Sequence, residues 1–145
     1  MTSSLKRLDS LRAVLRLVYG LVPVVAGLDK FFNLLTDWTQ YINPPMIRLL
    51  PFSPSTFMHI VGVVEIAAGL IVLSRFTIVG AHIVSAWLTL IALTLIASGH
   101  YLDVAVRDSV MAVGAYTLGV LSQTLAENRT RGLSQVGDRN IAASA

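Results

Sequence analysis

The sequence predicts an all-α integral membrane protein, a bundle of four transmembrane helices with both chain ends in the cytoplasm. Hydrophobic residues make up 54% of the 145 residues, and charged residues make up only 13%. An ordinary soluble domain carries about 25% charged residues, so this chain has too little polar surface to cover a water-soluble particle. Its apolar residues fall into four runs, each with about the 20 residues that a helix needs to cross a bilayer.

The four apolar runs define the predicted helices of a transmembrane domain that covers residues 1–126. Pro23 lies midway along the first run and is expected to kink it, because proline removes a helical hydrogen bond. Ser53 and Pro54 favour a helix start, with a capping hydroxyl followed by a first-turn proline. The predicted helices are residues 13–35, 54–73, 77–99 and 104–126.

Two segments lie outside these runs. The connection at residues 36–53 contains Trp38 and Tyr41, and amphipathic aromatic rings favour the headgroup layer. We expect this loop to lie on the membrane surface, with a short helix around residues 45–50. Residues 127–145 are polar and are predicted to form a cytoplasmic tail that is disordered alone or ordered only against a partner.

The distribution of lysine and arginine sets the predicted orientation. Cytoplasmic segments next to membrane spans carry an excess of these residues. Eight fall on the side of both chain ends and three on the opposite side, which places both termini in the cytoplasm. The eight are Lys6, Arg7, Arg12, Arg16, Arg75, Arg129, Arg131 and Arg139, and the three are Lys30, Arg48 and Arg107.

Charge, cysteine and histidine content exclude several kinds of site. The net charge is +3, but the basic residues stand at the ends of apolar runs, so the membrane explains them and no nucleic acid is expected. The chain has no cysteine, which excludes disulfides, thiol catalysis and iron–sulfur ligation by its own residues. His59 and His82 are predicted to differ by about 20 Å in depth, so they cannot share one haem iron. We expect no metal site in this chain.

Glu65 is the most unusual residue of the predicted spans, because a charge near the middle of a bilayer is costly. Gly62 and Gly69 lie on the same helix face, about one turn to either side, and allow close packing against a neighbouring helix. Two interpretations remain open. Glu65 is either a structural carboxylate, paired with a base or protonated, or a site for a proton or ligand.

Four further charged residues are predicted to lie toward the non-cytoplasmic side of the spans. Asp29 and Lys30 come late in the first helix, and Arg107 and Asp108 open the fourth. A basic side chain can bury its alkyl stem while its charge reaches a partner, so we predict that Glu65 pairs with Lys30 or Arg107. The alternative is that these charges only reach the membrane interface. The five residues form the candidate polar cluster, and no catalytic residue stands out.

Three motifs resemble the DoxX-like family of small four-helix membrane proteins. Tyr19-Gly20 followed by AGLDKFF at residues 26–32 is similar to the end of that family's first helix. The segment GVVEIAAGL at residues 62–70 is similar to its G-x-x-E-x-x-x-G-L core, and Arg107-Asp108 to the start of its last helix. The resemblance covers residues 14–125.

The resemblance implies a helical bundle in a bacterial or archaeal cytoplasmic membrane. Some members of that family are subunits of thiosulfate:quinone oxidoreductases, and others associate with membrane redox complexes. The leading hypothesis is a small accessory subunit that packs beside a catalytic or quinone-binding subunit and is not itself the catalyst. Its expected partners are membrane lipid and larger membrane subunits, and quinone is the one cofactor suggested. The alternatives are a quinone-linked oxidoreductase subunit with its own site at Glu65, and a small oligomeric transporter.

The predicted orientation can be tested by thiol labelling, because a chain without cysteine gives clean single-cysteine variants. In intact cells, Ser3→Cys and Ser134→Cys should resist an impermeant thiol reagent, whereas Thr39→Cys should react. Labelling of Ser134→Cys without labelling of Thr39→Cys would invert the topology.

Overall fold

In the computed structural model, which describes residues 2–42, 47–48 and 51–143, the chain forms four long helices. They are α1 (Thr2–Phe32), α2 (Pro54–Leu73), α3 (Thr77–Ser98) and α4 (Leu102–Ala143), with a 3₁₀ turn at Trp38–Tyr41 between α1 and α2. Each is long and apolar enough to cross a membrane, and the described part of the chain contains no strand. The predicted all-helical, membrane-spanning fold is confirmed.

The helix ends depart from prediction where hydropathy is a poor guide. α1 begins at Thr2, because charged residues can extend a helix into water beyond its apolar run. It ends at Phe32, three residues before the predicted residue 35, and Asn33 adopts a φ of 51°. α3 ends at Ser98 because Gly99 adopts the left-handed conformation with a φ of 69°. Residues 45–50, where a short helix was expected, lie outside the described residues except for Ile47 and Arg48.

α4 continues to Ala143, through the segment that the sequence predicted to be a polar tail, disordered alone or ordered only against a partner. The helix extends past the predicted residue 126 because low hydropathy marks the end of a membrane span, but Leu, Ala, Glu and Arg still favour a helix. At 1.5 Å per residue, its 42 residues span about 63 Å, well beyond a hydrocarbon layer of about 30 Å. The projecting parts of α1 and α4 are joined by Asp9 Oδ1 and an Arg129 guanidinium nitrogen, 2.8 Å apart.

The bundle has two sides, which we call the termini side and the loop side. α1 runs toward the loop side, α2 returns to the termini side, and α3 and α4 repeat this course. α1 packs mainly against α2, and α3 mainly against α4. A core of small and branched residues, with one tyrosine, joins the four helices: Tyr19, Ala68, Val72, Ala81, Val84, Ala115 and Leu118.

Two glycine pairs bring α1 and α2 into backbone contact. A Cβ added to Gly27 would lie 2.5 Å from the Gly62 carbonyl oxygen, and one added to Gly69 would lie 2.5 Å from the Gly20 carbonyl oxygen. Any larger residue would therefore push the helices apart. The close packing predicted for the Gly62 and Gly69 face is confirmed, and α1 is the helix that it contacts.

Two arginines within α1 tie the termini side together. The Arg16 guanidinium donates hydrogen bonds to the carbonyl oxygens of Val72, at 3.2 Å, of Leu73, and of Ser74, at 2.9 Å. The last carbonyls of a helix have no partner within it, so Arg16 completes the end of α2. Arg12 Nε donates to Ser122 Oγ on α4 at 3.0 Å. These contacts explain arginines so close to an apolar run.

The glycine contact predicts a large difference between two glycine-to-alanine substitutions. Gly62→Ala should destabilise the bundle by about 1–3 kcal/mol, as overpacking does in other cores, because its Cβ would lie 2.6 Å from the Gly27 carbonyl oxygen. Gly132→Ala is the matched control, since nothing lies within 4 Å of the added Cβ. It should be neutral or slightly stabilising. Unfolding in mixed micelles, followed by circular dichroism, measures both. Equal effects would contradict the packing account.

Candidate functional site

A buried ion pair joins α1 to α2. Lys30 Nζ lies 2.6 Å from Glu65 Oε2, and the two residues are only 4% and 8% exposed. Lys30 comes three residues after Gly27, and Glu65 comes three residues after Gly62. Both residues therefore lie one helical turn from the point where the two helices are closest. Side chains lean toward the N-terminus of their helix, which turns the two groups toward each other on antiparallel helices. The predicted pairing of Glu65 therefore occurs, with Lys30 as the partner.

The loop after α1 covers this pair. The ring of Trp38 lies with its centroid 3.7 Å from Lys30 Nζ, a cation–π contact. Trp38 Nε1 donates to Asp29 Oδ2 at 2.7 Å, and Asp29 Oδ1 also accepts from the backbone N–H groups of Leu34 and Leu35 at 3.0 and 3.1 Å. Asp29 thus holds the start of the loop and fixes Trp38 over Lys30.

The loop aromatics face the bundle. The sequence predicted Trp38 and Tyr41 at headgroup level, and in the structure both line the central cavity. The rings of Tyr41 and Tyr101 meet edge to face, 4.8 Å apart, so the loop also contacts the turn before α4. Asp37 begins the 3₁₀ turn, and hydrogen bonds from the Thr39 hydroxyl and backbone N–H hold the pKa of its carboxyl below the ordinary value.

Arg107, the other predicted partner for Glu65, bonds instead to its own neighbour in sequence. Arg107 Nε donates to Asp108 Oδ1 at 3.2 Å, so Arg107 does not pair with Glu65. Asp108 is buried, whereas the Arg107 side chain is largely exposed. Because these two residues are adjacent in sequence, their contact does not depend on how the helices pack. Both line the same cavity as Lys30 and Glu65, while Asp29 stands behind Trp38.

The cavity lies among all four helices and the loop and has a volume of about 560 Å³. Its wall is mostly apolar, with contributions from residues such as Val22, Met58 and Leu95. The charged groups that line it are Lys30, Glu65, Arg107 and Asp108. Small-molecule sites have volumes of about 300–1,000 Å³ and combine apolar walls with a few placed polar groups. The arrangement can hold a mainly apolar molecule with one polar end.

Trp87 contributes a polar group that sequence reasoning missed. An indole in an apolar helix has no distinguishing signal in the sequence. In the structure Trp87 lines the cavity, and its indole N–H lies near the Glu65 carboxyl. The buried N–H makes no hydrogen bond of normal length and angle with any described residue. The site therefore contains an unused donor.

The three histidines lie in separate surroundings. The His59 ring stacks on Phe31 with centroids 4.8 Å apart. His82 and His100 each place Nδ1 2.7 Å from a nearby backbone carbonyl oxygen. Within residues 2–42, 47–48 and 51–143, no group of three or more His, Asp or Glu side chains is placed to hold a metal ion.

The ion pair predicts strong energetic coupling between Lys30 and Glu65. Glu65→Ala or Lys30→Ala should each destabilise the bundle by about 3–5 kcal/mol, because each leaves a buried charge without its partner. The double variant should lose much less than the sum of the two. Unfolding in bicelles provides the four free energies of the cycle.

Two control cycles define the comparison. Asp9 and Arg129 form an exposed pair, for which coupling of about 0.2–1 kcal/mol is expected. Glu65→Ala and Arg107→Ala should be additive within about 0.5 kcal/mol, because Arg107 bonds to Asp108. If the effects of Glu65→Ala and Lys30→Ala on the free energy of unfolding were additive, the pair would contribute nothing to stability.

Comparison with known proteins gives one match. The sequence model of the DoxX family matches residues 11–100, which include Asp29, Lys30, Glu65 and Trp87 and end before Arg107 and Asp108. Neither the curated proteins nor the solved structures give a match to this chain. The family match, which covers more than half of the chain, agrees with the four membrane-spanning helices. This chain is a multi-pass membrane protein of the DoxX family.

Proposed function

We propose that this chain is a small subunit of a membrane oxidoreductase complex and that its cavity binds a quinone-type molecule. The observation that carries the proposal is the cavity of about 560 Å³ with a buried ion pair in its wall. A subunit that served only to clamp neighbouring helices would have no need for such a space. The family resemblance, which includes subunits of thiosulfate:quinone oxidoreductases, supports the redox context.

The polarity of the cavity suits a quinone. A quinone has a ring with two carbonyl acceptors and an apolar tail, and the cavity pairs a mostly apolar wall with charged groups. Reduction to the quinol takes up two electrons and two protons. Lys30 can stabilise negative charge that develops on the ring, and the carboxyl groups of Glu65 and Asp108 can exchange protons with its oxygens.

The electrons must come from outside this chain, which supports a place in a complex. The chain has no cysteine to ligate an iron–sulfur cluster or form a redox disulfide. A partner subunit would supply the electron donor. The projecting ends of α1 and α4, joined by the Asp9–Arg129 pair, offer such a partner a surface outside the bilayer.

Purification in mild detergent tests both parts of the proposal. A redox-active partner should copurify with the chain, and mass spectrometry of the extracted lipids should find bound quinone. Glu65→Gln keeps the side-chain shape and a hydrogen-bond acceptor for Lys30, so we expect the complex to assemble with markedly less quinone.

Asp103→Asn is the matched control, since it removes an exposed carboxylate in the first turn of α4 that does not line the cavity. This variant should contain as much bound quinone as the wild type. A wild-type chain that purifies alone and without quinone would refute the proposal. A complex that assembles normally but never contains quinone would leave only the clamp role. Solute flux in proteoliposomes would instead favour the transporter alternative.

A further inference from the structure

α2 and α3 are in contact near their hairpin, and both contribute to the cavity wall farther along. Near the hairpin the two helices touch, and Thr77 Oγ1 donates to the Val72 carbonyl oxygen at 3.0 Å. Toward the loop side, residues of both helices line the cavity instead. Leu90 and Thr94 of α3 line the cavity and are also exposed. Side chains that are both exposed and part of the cavity wall indicate that the cavity opens beside them, and in a membrane-spanning bundle an opening at this part of α3 faces lipid.

One face of α3 leads from this opening to Trp87. At 100° per residue, Leu90, Ile91 and Thr94 all lie within about 60° of Trp87 around the helix, and all four line the cavity. Thr94 stands about 10 Å from Trp87 along the helix axis. A molecule that enters at the opening therefore meets the indole of Trp87 at the inner end of its path.

The Trp87 N–H lies near the Glu65 carboxyl but makes no hydrogen bond of normal length and angle with a described residue. Indole nitrogen is a donor only, and a buried donor without a partner is costly enough that native structures rarely contain one. The nearby Glu65 Oε2 already accepts from Lys30 at 2.6 Å. A ligand oxygen placed beside Glu65 would satisfy the indole without disturbing that pair.

We infer that the ligand is a lipid-soluble molecule with a ring carbonyl, that it enters sideways from the bilayer between α2 and α3, and that its carbonyl accepts a hydrogen bond from Trp87 Nε1. The inference rests on the proposed function and adds the path of the ligand and the atom that recognises it. The tail of the ligand would remain in the opening beside Leu90 and Thr94, where the wall is in contact with lipid.

Recognition by Trp87 is tested with decylubiquinone and the protein in lipid nanodiscs. Trp87→Phe keeps the ring and removes the N–H, so the affinity should fall about 3- to 10-fold, the effect of one lost hydrogen bond. Tyr116→Phe is the control, because it removes a polar group from an exposed ring on α4 that does not line the cavity. It should bind as the wild type does.

The outcomes separate this inference from the proposed function. Equal affinity for wild type and Trp87→Phe would show that water or Glu65 satisfies the N–H, and would overturn the recognition step while the quinone site stands. No binding by the wild type would refute the quinone site itself, and the inference with it.

The path is tested with two leucines of α3 that are similarly exposed. Leu90 is 53% exposed and lines the cavity, whereas Leu93 is 58% exposed and does not line it. Stopped-flow quenching of tryptophan fluorescence by decylubiquinone gives the association rate. Leu90→Phe should slow association several-fold, and Leu93→Phe should leave it unchanged. Equal rates in both variants and the wild type would overturn the lateral path.

Discussion

The bundle depends on one interaction, the buried Lys30–Glu65 pair at the glycine contact between α1 and α2. Removing two ions from water costs several kcal/mol for each, and only short, well-oriented contacts offset that cost. Here the glycines provide the short distance, because no side chain separates the helices. The Trp38 ring then covers the ammonium group and excludes water from it. Helix spacing, loop position and one wall of the cavity all follow from this pair.

The two sides of the bundle differ in how they are packed. On the termini side, Arg16 bonds to the final carbonyl groups of α2 and Arg12 bonds to α4, and the core there is filled by small residues. On the loop side the helices enclose the cavity, and charged groups line it. A firmly packed half can hold the helices in place while the other half accommodates a ligand. The polar residues of the spans are divided accordingly between structural and candidate binding roles.

The sequence predicted the elements better than their arrangement. Four apolar runs were enough to predict the membrane spans. Gly62 and Gly69 around Glu65 were enough to predict a close helix contact. Choosing between Lys30 and Arg107 was not possible, because both come from the loop side and the choice depends on which helix lies against α2. The cavity and the unused donor of Trp87 could not be predicted from the sequence either. They arise from the relative positions of four helices and leave no periodic signal in it. Hydropathy failed for α4, where a helix leaves the membrane without ending.

The burial of Lys30 has a consequence for the chemical reactivity of the protein. The chain has only two lysines, Lys6 and Lys30. Lys30 is 4% exposed and bonded to Glu65, whereas Lys6 is exposed. An amine-reactive reagent in water therefore meets one exposed lysine, in the first turns of α1. Dyes or cross-linkers of this kind attach near the start of α1 and leave the cavity chemically untouched.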